Sequence, residues 1–282
     1  DQVRVSIIIP NYNGHDVLKK NLPTLIDTVE KENHTVEVIV VDDASNDESI
    51  QFLKTCGHNI RVIEKKENQG FSVTCNTGAR SASGDLLFFL NNDMSVSDIL
   101  IQPLVDLFNS DDIFAVAPSS VVKNHDGNID ETPVGGDWEN GILKIFSIEN
   151  KNQEPIEIFH AHGGCMMVRK DRFIDMGGFD ERFSPFYFED VDLCWRAKER
   201  GWRVVHQPAV KVYHHSHYTI DRTYDARFSK TVYWKNYFLF LMKTQKQISV
   251  QEIADYVYHH NRIGETVLLG FKIALRQYLR DF

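Results

Sequence analysis

Short apolar runs recur through the first third of the chain, and each is closed by a polar, turn-forming cluster. Val5 to Pro10 (VSIIIP) runs into NYNG, and Val36 to Val41 (VEVIVV) runs into Asp42, Asp43, Ala44 and Ser45. Ile60 to Ile63 and Asp85 to Leu90 repeat the pattern, the last ending at Asn91, Asn92 and Asp93. Runs that are apolar at consecutive positions, rather than at alternate ones, belong to strands covered on both faces. Helical spacing fills the gaps, over Val17 to about Glu30, about Asp47 to Cys56 and about Phe71 to Ser81. The series β-α-β-α-β-α-β predicts a parallel sheet with right-handed crossovers, a doubly wound nucleotide-binding half.

The second half reads differently. Ile113 to about Val212 mixes short strands with loops, and residues 123–155, with Gly127, Pro133, Gly135, Gly136 and Gly141, read as an irregular surface excursion. Beyond Tyr218 the segments TVYWKNYFLFLMK and ETVLLGFKIALRQYLRDF are amphipathic and predict helices. Their stripes fit packing against the domain or a partner chain, a homo-oligomer included, better than a membrane surface, with which their aromatic and basic residues are also compatible. No apolar run approaches the ~20 residues of a membrane span.

In a doubly wound sheet, ligands bind beyond the carboxyl ends of the strands. The polar clusters stand there: Asn11, Tyr12 and Asn13, then Asp42 and Asp43, then Glu67 to Gly70, then Asn91, Asn92 and Asp93. One such cluster is ordinary turn chemistry. Four in register mark a site.

A second concentration lies in GGFDERFSPFYFEDVDLCWRAKERG, from Gly177 to Gly201. After Phe188 the spacing of Val191, Cys194, Trp195 and Lys198 is helical, so Glu189 and Asp190 occupy the first turn, where free N–H groups and the helix dipole stabilise negative charge. Capping explains one carboxylate. Asp192 pairs with Arg196 four residues on, which leaves Glu189 or Asp190 as a candidate general base.

Composition narrows the class. Of 282 residues, 42% are hydrophobic and 25% charged, as in soluble globular proteins, and the formal charge of −9 argues against a nucleic-acid binder. Cys56, Cys75, Cys165 and Cys194 show no CxxC spacing, so neither a zinc ribbon nor a disulfide framework is indicated. They read as buried thiols of a reducing compartment, and the protein is expected in the cytoplasm, with a peripheral position at the inner face of the cell membrane also compatible. The chain begins at Asp1 without a methionine, as it would if a leader or neighbouring domain had been removed.

The ordered set PNYNG, VVDDAS, ENQGF, LFFLNNDM, GGCMMVRK, GGFDERF and FEDVDLCWR, followed by the histidine at 214, resembles the inverting glycosyltransferases of family 2, over about residues 3–217. The wording is most similar to the rhamnosyltransferase-like branch. The resemblance implies an α/β GT-A fold, a doubly wound, mostly parallel sheet with a C-terminal helical extension. Residues 1–95 would form the nucleotide-binding half, 96–217 the acceptor half and 218–282 the extension. It implies transfer of rhamnose or a similar hexose from a dTDP- or UDP-linked donor to a glycan or lipid-linked glycan in cell-surface polysaccharide synthesis.

Residue by residue, it places Pro10, Tyr12 and Asn13 against the base and ribose, Asp42 and Asp43 on their polar edges, and Asn68, Gly70 and Asn76 on the remaining wall. Asn91, Asn92 and Asp93 occupy the family's Asp-X-Asp position, where Mg²⁺ or Mn²⁺ meets the diphosphate, and only Asp93 is acidic. His214 matches the metal-binding histidine, with His215 and His217 beside it. Asp190 would remove the acceptor's proton while Glu189 orients the acceptor. Gly163, Gly164 and Trp195 would lie on the acceptor side. A hard cation suits an acidic protein, because it neutralises the leaving diphosphate where few basic residues are available.

Two other classes were weighed. A sugar nucleotidyltransferase would carry a glycine-rich loop with Arg and Lys after the first strand, and Pro10 to Gly14 contains neither basic residue. A non-catalytic sugar-nucleotide-binding homologue has no need of Asp93, Asp190 and His214 together.

Overall fold

The computed structural model describes residues 2–124, 127–130, 133–139, 141–214, 224–244, 249–259 and 264–281. The strands are β1 (Arg4–Asn11), β2 (Thr35–Asp42), β3 (Arg61–Glu64), β4 (Leu86–Leu90), β5 (Met94–Val96), β6 (Ile113–Asn124), β7 (Gly127–Asp130), β8 (Val134–Glu139), β9 (Ile142–Ser147), β10 (Ile156–Glu157), β11 (Cys165–Arg169) and β12 (Arg203–His214). The helices are α1 (His15–Val29), α2 (Ser49–Thr55), α3 (Phe71–Ser81), α4 (Gln102–Leu107), α5 (Lys170–Asp175), α6 (Glu189–Lys198), α7 (Ala226–Thr244), α8 (Val250–His259) and α9 (Glu265–Asp281).

The main sheet runs β10-β12-β6-β11-β4-β1-β2-β3. From β4 to β3 all pairings are parallel, as the apolar runs predict, whereas β11 inserts antiparallel between β4 and β6, and β12 returns parallel to β6. Consecutive side chains of a strand point to opposite faces. Ile7 and Ile9 therefore join Leu18, Leu22, Leu25 and Ile26 of α1 in one core, while Ile8 joins Cys75 and Ala79 of α3 and Leu193, Cys194 and Ala197 of α6 in the other. The order β4-β1-β2 reverses direction at β1, and such a switch point opens a crevice beyond the strand ends.

One expectation is corrected. The stretch read as an irregular excursion holds β7, paired with β6, and a separate hairpin of β8 and β9. Its glycines permit close packing rather than disorder: a Cβ on Gly136 would stand 2.3 Å from the Phe159 ring. Across the hairpin, a Cβ on Gly135 would stand 2.5 Å from the ring of Phe146, its partner in β9, and the pairing was hidden because glycines carry no side chain to mark a strand.

Helices α7 and α9 pack against β9, the 183–188 loop and α6. Tyr237 to Met242 of α7 and Phe271 of α9 are buried in a third core together with Leu143, Phe159, Phe183, Phe188 and Val191. No described helix is long and apolar enough to cross a membrane.

Candidate active site

The crevice at the strand ends is a cavity of about 570 Å³. Pro10, Asn11, Tyr12, Asp43, Asn68, Gly70, Asn91, Asn92, Asp93 and His214 line it, together with Gly163, Gly164, Glu189 and Asp190. The structure thus brings Asp93 and Asp190 to one cleft. Asn13, Asp42, Asn76 and Trp195 do not line it.

Those four residues are engaged elsewhere. Asp42 is buried and accepts hydrogen bonds from Asn11 Nδ2 (2.8 Å), Ser45 N (2.8 Å) and Ser45 Oγ (2.7 Å), which joins the ends of β1 and β2. Asn13 receives the Asn46 N–H at its Oδ1 and gives its own N–H to Ser45 Oγ, both at 2.8 Å. Asn76 ties α3 to the 179–181 loop by donating to Phe179 O and accepting from Phe179 N. Trp195 packs against Trp138, Phe159 and Phe240 in the third core.

Asp43 faces the cavity, but its carboxylate is already committed. It accepts from Lys65 Nζ at 2.6 Å, from Gln69 N at 3.0 Å and from Gly70 N at 2.8 Å. Its charge therefore shapes the loop at 68–70 and orients Lys65, whose Nζ also reaches Thr74 Oγ1 at 3.1 Å.

At the end of β4, Asn92 Nδ2 donates to Asn11 Oδ1 at 2.7 Å, and Asn21 Nδ2 donates to the Asn92 carbonyl at 2.9 Å. Asn92 is thereby fixed. Asn91 gives its backbone N–H to Gly164 O at 2.8 Å, and a Cβ on Gly164 would meet Asn91 Nδ2 at 2.3 Å, so only glycine fits there. Asp93 is buried, with His214 Nε2 3.5 Å from its Oδ2 and no hydrogen-bond partner at Oδ1. The pairing of His214 with Met94 across β12 and β5 sets this approach.

A buried carboxylate oxygen left unpaired beside an imidazole nitrogen is costly unless a ligand completes it. An O and N donor pair of this kind fits a divalent cation whose remaining positions a diphosphate and water would fill. His215 and His217 lie outside the described residues.

The three carboxylates at the start of α6 separate cleanly. Asp192 is 1% exposed and pairs with Arg196 Nε at 2.7 Å, as the spacing predicts, and with Lys243 Nζ of α7 at 2.5 Å. Glu189 is buried with Oε2 unpartnered; burial, reinforced by the negative charge of Asp190, pushes its carboxyl well above the usual range. Burial thus favours its protonated form. Asp190 Oδ2 accepts the Gly163 N–H at 2.9 Å and Oδ1 the Val191 N–H at 2.8 Å, two bonds that fix the orientation of its side chain.

The loop before α6 is strained and tied down. Tyr187 and Phe188 hold φ of 74° and 72°, a left-handed backbone that costs of order 1–3 kcal/mol per bulky residue. Asn236 Nδ2 of α7 donates to the carbonyls of Phe183 (2.6 Å), Phe186 (2.8 Å) and Tyr187 (2.8 Å), while Lys235 Nζ donates to that of Ser184 at 2.9 Å. The C-terminal helix thereby holds the cavity wall.

Sequence reasoning missed several lining residues: His160, His162, Thr74, Ile145, Tyr224 and Tyr233. The HAHGG run placed two histidines at alternate positions before a glycine pair, a legible signal. Tyr233 carried none, since aromatic residues of a helix with an apolar stripe read as core, and Tyr224 stands just before that helix in no motif.

The family model for glycosyl transferase family 2 matches residues 6–177, and a model for the N-terminal domain of galactosyltransferase matches residues 144–218. A low-salt glycan biosynthesis hexosyltransferase of Haloferax volcanii is 28% identical over 245 residues, 83% of this chain and 74% of the relative. An O-antigen biosynthesis protein of Myxococcus xanthus is 28% identical over 250 residues, but this chain spans only 19% of its length. The crystal structure of GalNAc-T7 with UDP, GalNAc and Mn²⁺ superposes with a TM-score of 0.72 at 16% identity, over 100% of this chain and 57% of that one. The mannosyltransferase of Pyrobaculum calidifontis in complex with GDP-Man and Mn²⁺ gives 0.58 at 17% identity, over 100% of this chain and 76% of that one. The fold they share with this chain is the GT-A-like α/β fold.

Proposed function

Because the chain belongs to glycosyltransferase family 2, we propose that it transfers a hexose, rhamnose or a close analogue, from a dTDP- or UDP-linked donor to a hydroxyl of a glycan or lipid-linked glycan, with inversion at the anomeric carbon. The observation that carries this reading is the convergence of the Asp93 and His214 pair and the Asp190 carboxylate on a single cavity.

The base and ribose lie along Pro10, Tyr12 and Asn68, with Asp43 keeping the 68–70 loop in place. Asp93 and His214 are the residues that hold Mg²⁺ or Mn²⁺, which when bound supplies positive charge to the diphosphate. Asp190, oriented by the Gly163 N–H, takes the acceptor's proton as that oxygen bonds to the anomeric carbon and the nucleoside diphosphate departs. Glu189, whose protonated form burial favours, orients the acceptor beside the base. A role in cell-surface polysaccharide synthesis is supported by relatives named for glycan and O-antigen biosynthesis.

The test is release of nucleoside diphosphate from a panel of dTDP-, UDP- and GDP-sugars, with and without Mn²⁺, alongside donor binding by thermal shift. Metal-dependent turnover with one donor and an inverted product supports the reading. Nucleotide-sugar synthesis from a sugar phosphate, or donor binding without turnover against any glycan acceptor, sinks it.

A further inference from the structure

His160, His162 and Asp190 stand together on the acceptor side of the cavity, each presenting a donor atom within 4.8 Å of the others. The two histidines alternate along the extended segment that precedes β11, so their rings leave it on the same side; the ring centroids are 5.4 Å apart. Asp190 meets them from the first turn of α6, turned toward this segment by its bond from Gly163 N. This is the only such cluster of three or more His, Cys, Asp or Glu among the described residues, and it is separate from the Asp93 and His214 pair.

A second observation points to a ligand here. His160 is 5% exposed and its Nδ1 has no hydrogen-bond partner; Glu189, 6% exposed, leaves Oε2 equally unpartnered. Gly163 keeps the space narrow, since a Cβ there would stand 3.3 Å from Asp190 Cβ and 3.4 Å from Glu189 Oε1. Two imidazoles and one carboxylate form a donor set suited to zinc and other first-row transition ions, whereas Mg²⁺ prefers oxygen donors. The cavity thus carries two donor sets of different hardness, one at Asp93 and His214 and one at the acceptor pole.

We propose that His160, His162 and Asp190 form a second, transition-metal site, selective for Zn²⁺ or Co²⁺ over Mg²⁺, and that its occupation blocks catalysis by engaging the Asp190 carboxylate. Binding at this site stands on the donor geometry alone; the block rests on the proposed function, because only there is Asp190 the base. Zn²⁺ then inhibits by competing with the acceptor and leaves donor binding intact.

Co²⁺ provides a readout independent of turnover, since nitrogen-ligated Co²⁺ of low coordination number absorbs strongly in the visible. Titration of the purified full chain with Co²⁺ in the presence of excess Mg²⁺ is expected to develop this band in the wild type and in Asp93→Asn, and to lose it in His162→Ala and His162→Gln, with Zn²⁺ displacing it in the wild type. Circular dichroism establishes that the variants are folded; His160→Gln serves as the second ligand variant. In the transfer assay, losing one ligand weakens Zn²⁺ inhibition by about tenfold or more. A band that survives in folded His162 and His160 variants, or that disappears in Asp93→Asn instead, overturns the site. A Co²⁺ band with the expected ligand dependence in a protein that transfers no sugar leaves the site standing and removes the proposed function.

Discussion

His214 Nε2 lies 3.5 Å from Asp93 Oδ2 because β12 and β5 pair antiparallel and set His214 opposite Met94, the neighbour of Asp93. Two residues remote in sequence become a donor pair through backbone hydrogen bonds alone. Asp93→Asn and His214→Ala are each expected to raise the Mn²⁺ concentration needed for half-maximal transfer by about tenfold or more, and chelation is expected to abolish transfer in the wild type. Activity measured against free Mn²⁺ checks this; unchanged metal dependence in both variants removes the pair from the mechanism.

The carboxylates at 189 and 190 are expected to respond in opposite ways. Asp190→Asn removes the base and should lower kcat by about 10²- to 10⁴-fold with donor affinity preserved. Glu189→Gln keeps the shape and hydrogen-bonding capacity of the protonated form that burial favours, so most of the turnover remains. Steady-state kinetics with calorimetric donor binding separates the two, and equal losses would contradict the assignment.

Gly164→Ala would set a methyl group against the Asn91 amide, 2.3 Å from Nδ2. Overpacking of this kind costs about 1–3 kcal/mol, and here it displaces the residue before Asn92 and Asp93. Thermal unfolding is expected to shift downward together with a loss of transfer. The same change at Gly57, whose Cβ would meet nothing within 4 Å, strains only a left-handed backbone at φ 73° and leaves the cavity untouched.

Lys243 of α7 joins two acidic residues, Asp180 at 2.6 Å and Asp192 at 2.5 Å. Lys243→Met leaves the buried Asp192 with Arg196 alone, and breaking such a network costs about 3–5 kcal/mol. Burial acts to raise the Asp180 carboxyl, but the hydrogen bonds and charges of Arg182 and Lys243 outweigh it and hold its pKa well below the carboxylate range. A carboxylate depressed on folding stabilises the protein above its unfolded value, about 3.9, and that contribution is lost as pH falls through the lower folded value. The wild type should therefore lose stability as pH drops below about 4, and Lys243→Met should show a shallower dependence. Chemical denaturation across that range measures it; parallel curves for the two proteins would refute the coupling.

The parallel half was legible because β1, β2 and β4 carry runs buried on both faces. Chains so covered write their position as unbroken apolar runs, and the residues after each run reach the switch point by topology rather than by side-chain detail. The same reasoning separated Asp192 from its neighbours by its spacing to Arg196. It could not rank Asp42 against Asp43: both follow the same strand, and only packing shows Asp42 bonding Asn11 and Ser45 while Asp43 faces the cavity.

The acceptor side was less readable. Its wall depends on Asn236 reaching three carbonyls of a loop far upstream, and on Tyr224 and Tyr233 entering a cavity built by other segments. Periodicity identifies a buried face of a helix without naming what lies against it.

Local order, then, was written into the chain: hydrophobic runs, turn residues and helical spacing act between near neighbours, and they alone determined the nucleotide half and the position of its polar clusters. The burial that raises the Glu189 carboxyl, the pairing of Asp93 with His214 and the meeting of His160 and His162 with Asp190 were decided by tertiary structure. Each depends on desolvation or on distance between segments remote in sequence, and both quantities exist only once the sheet has closed around the cavity.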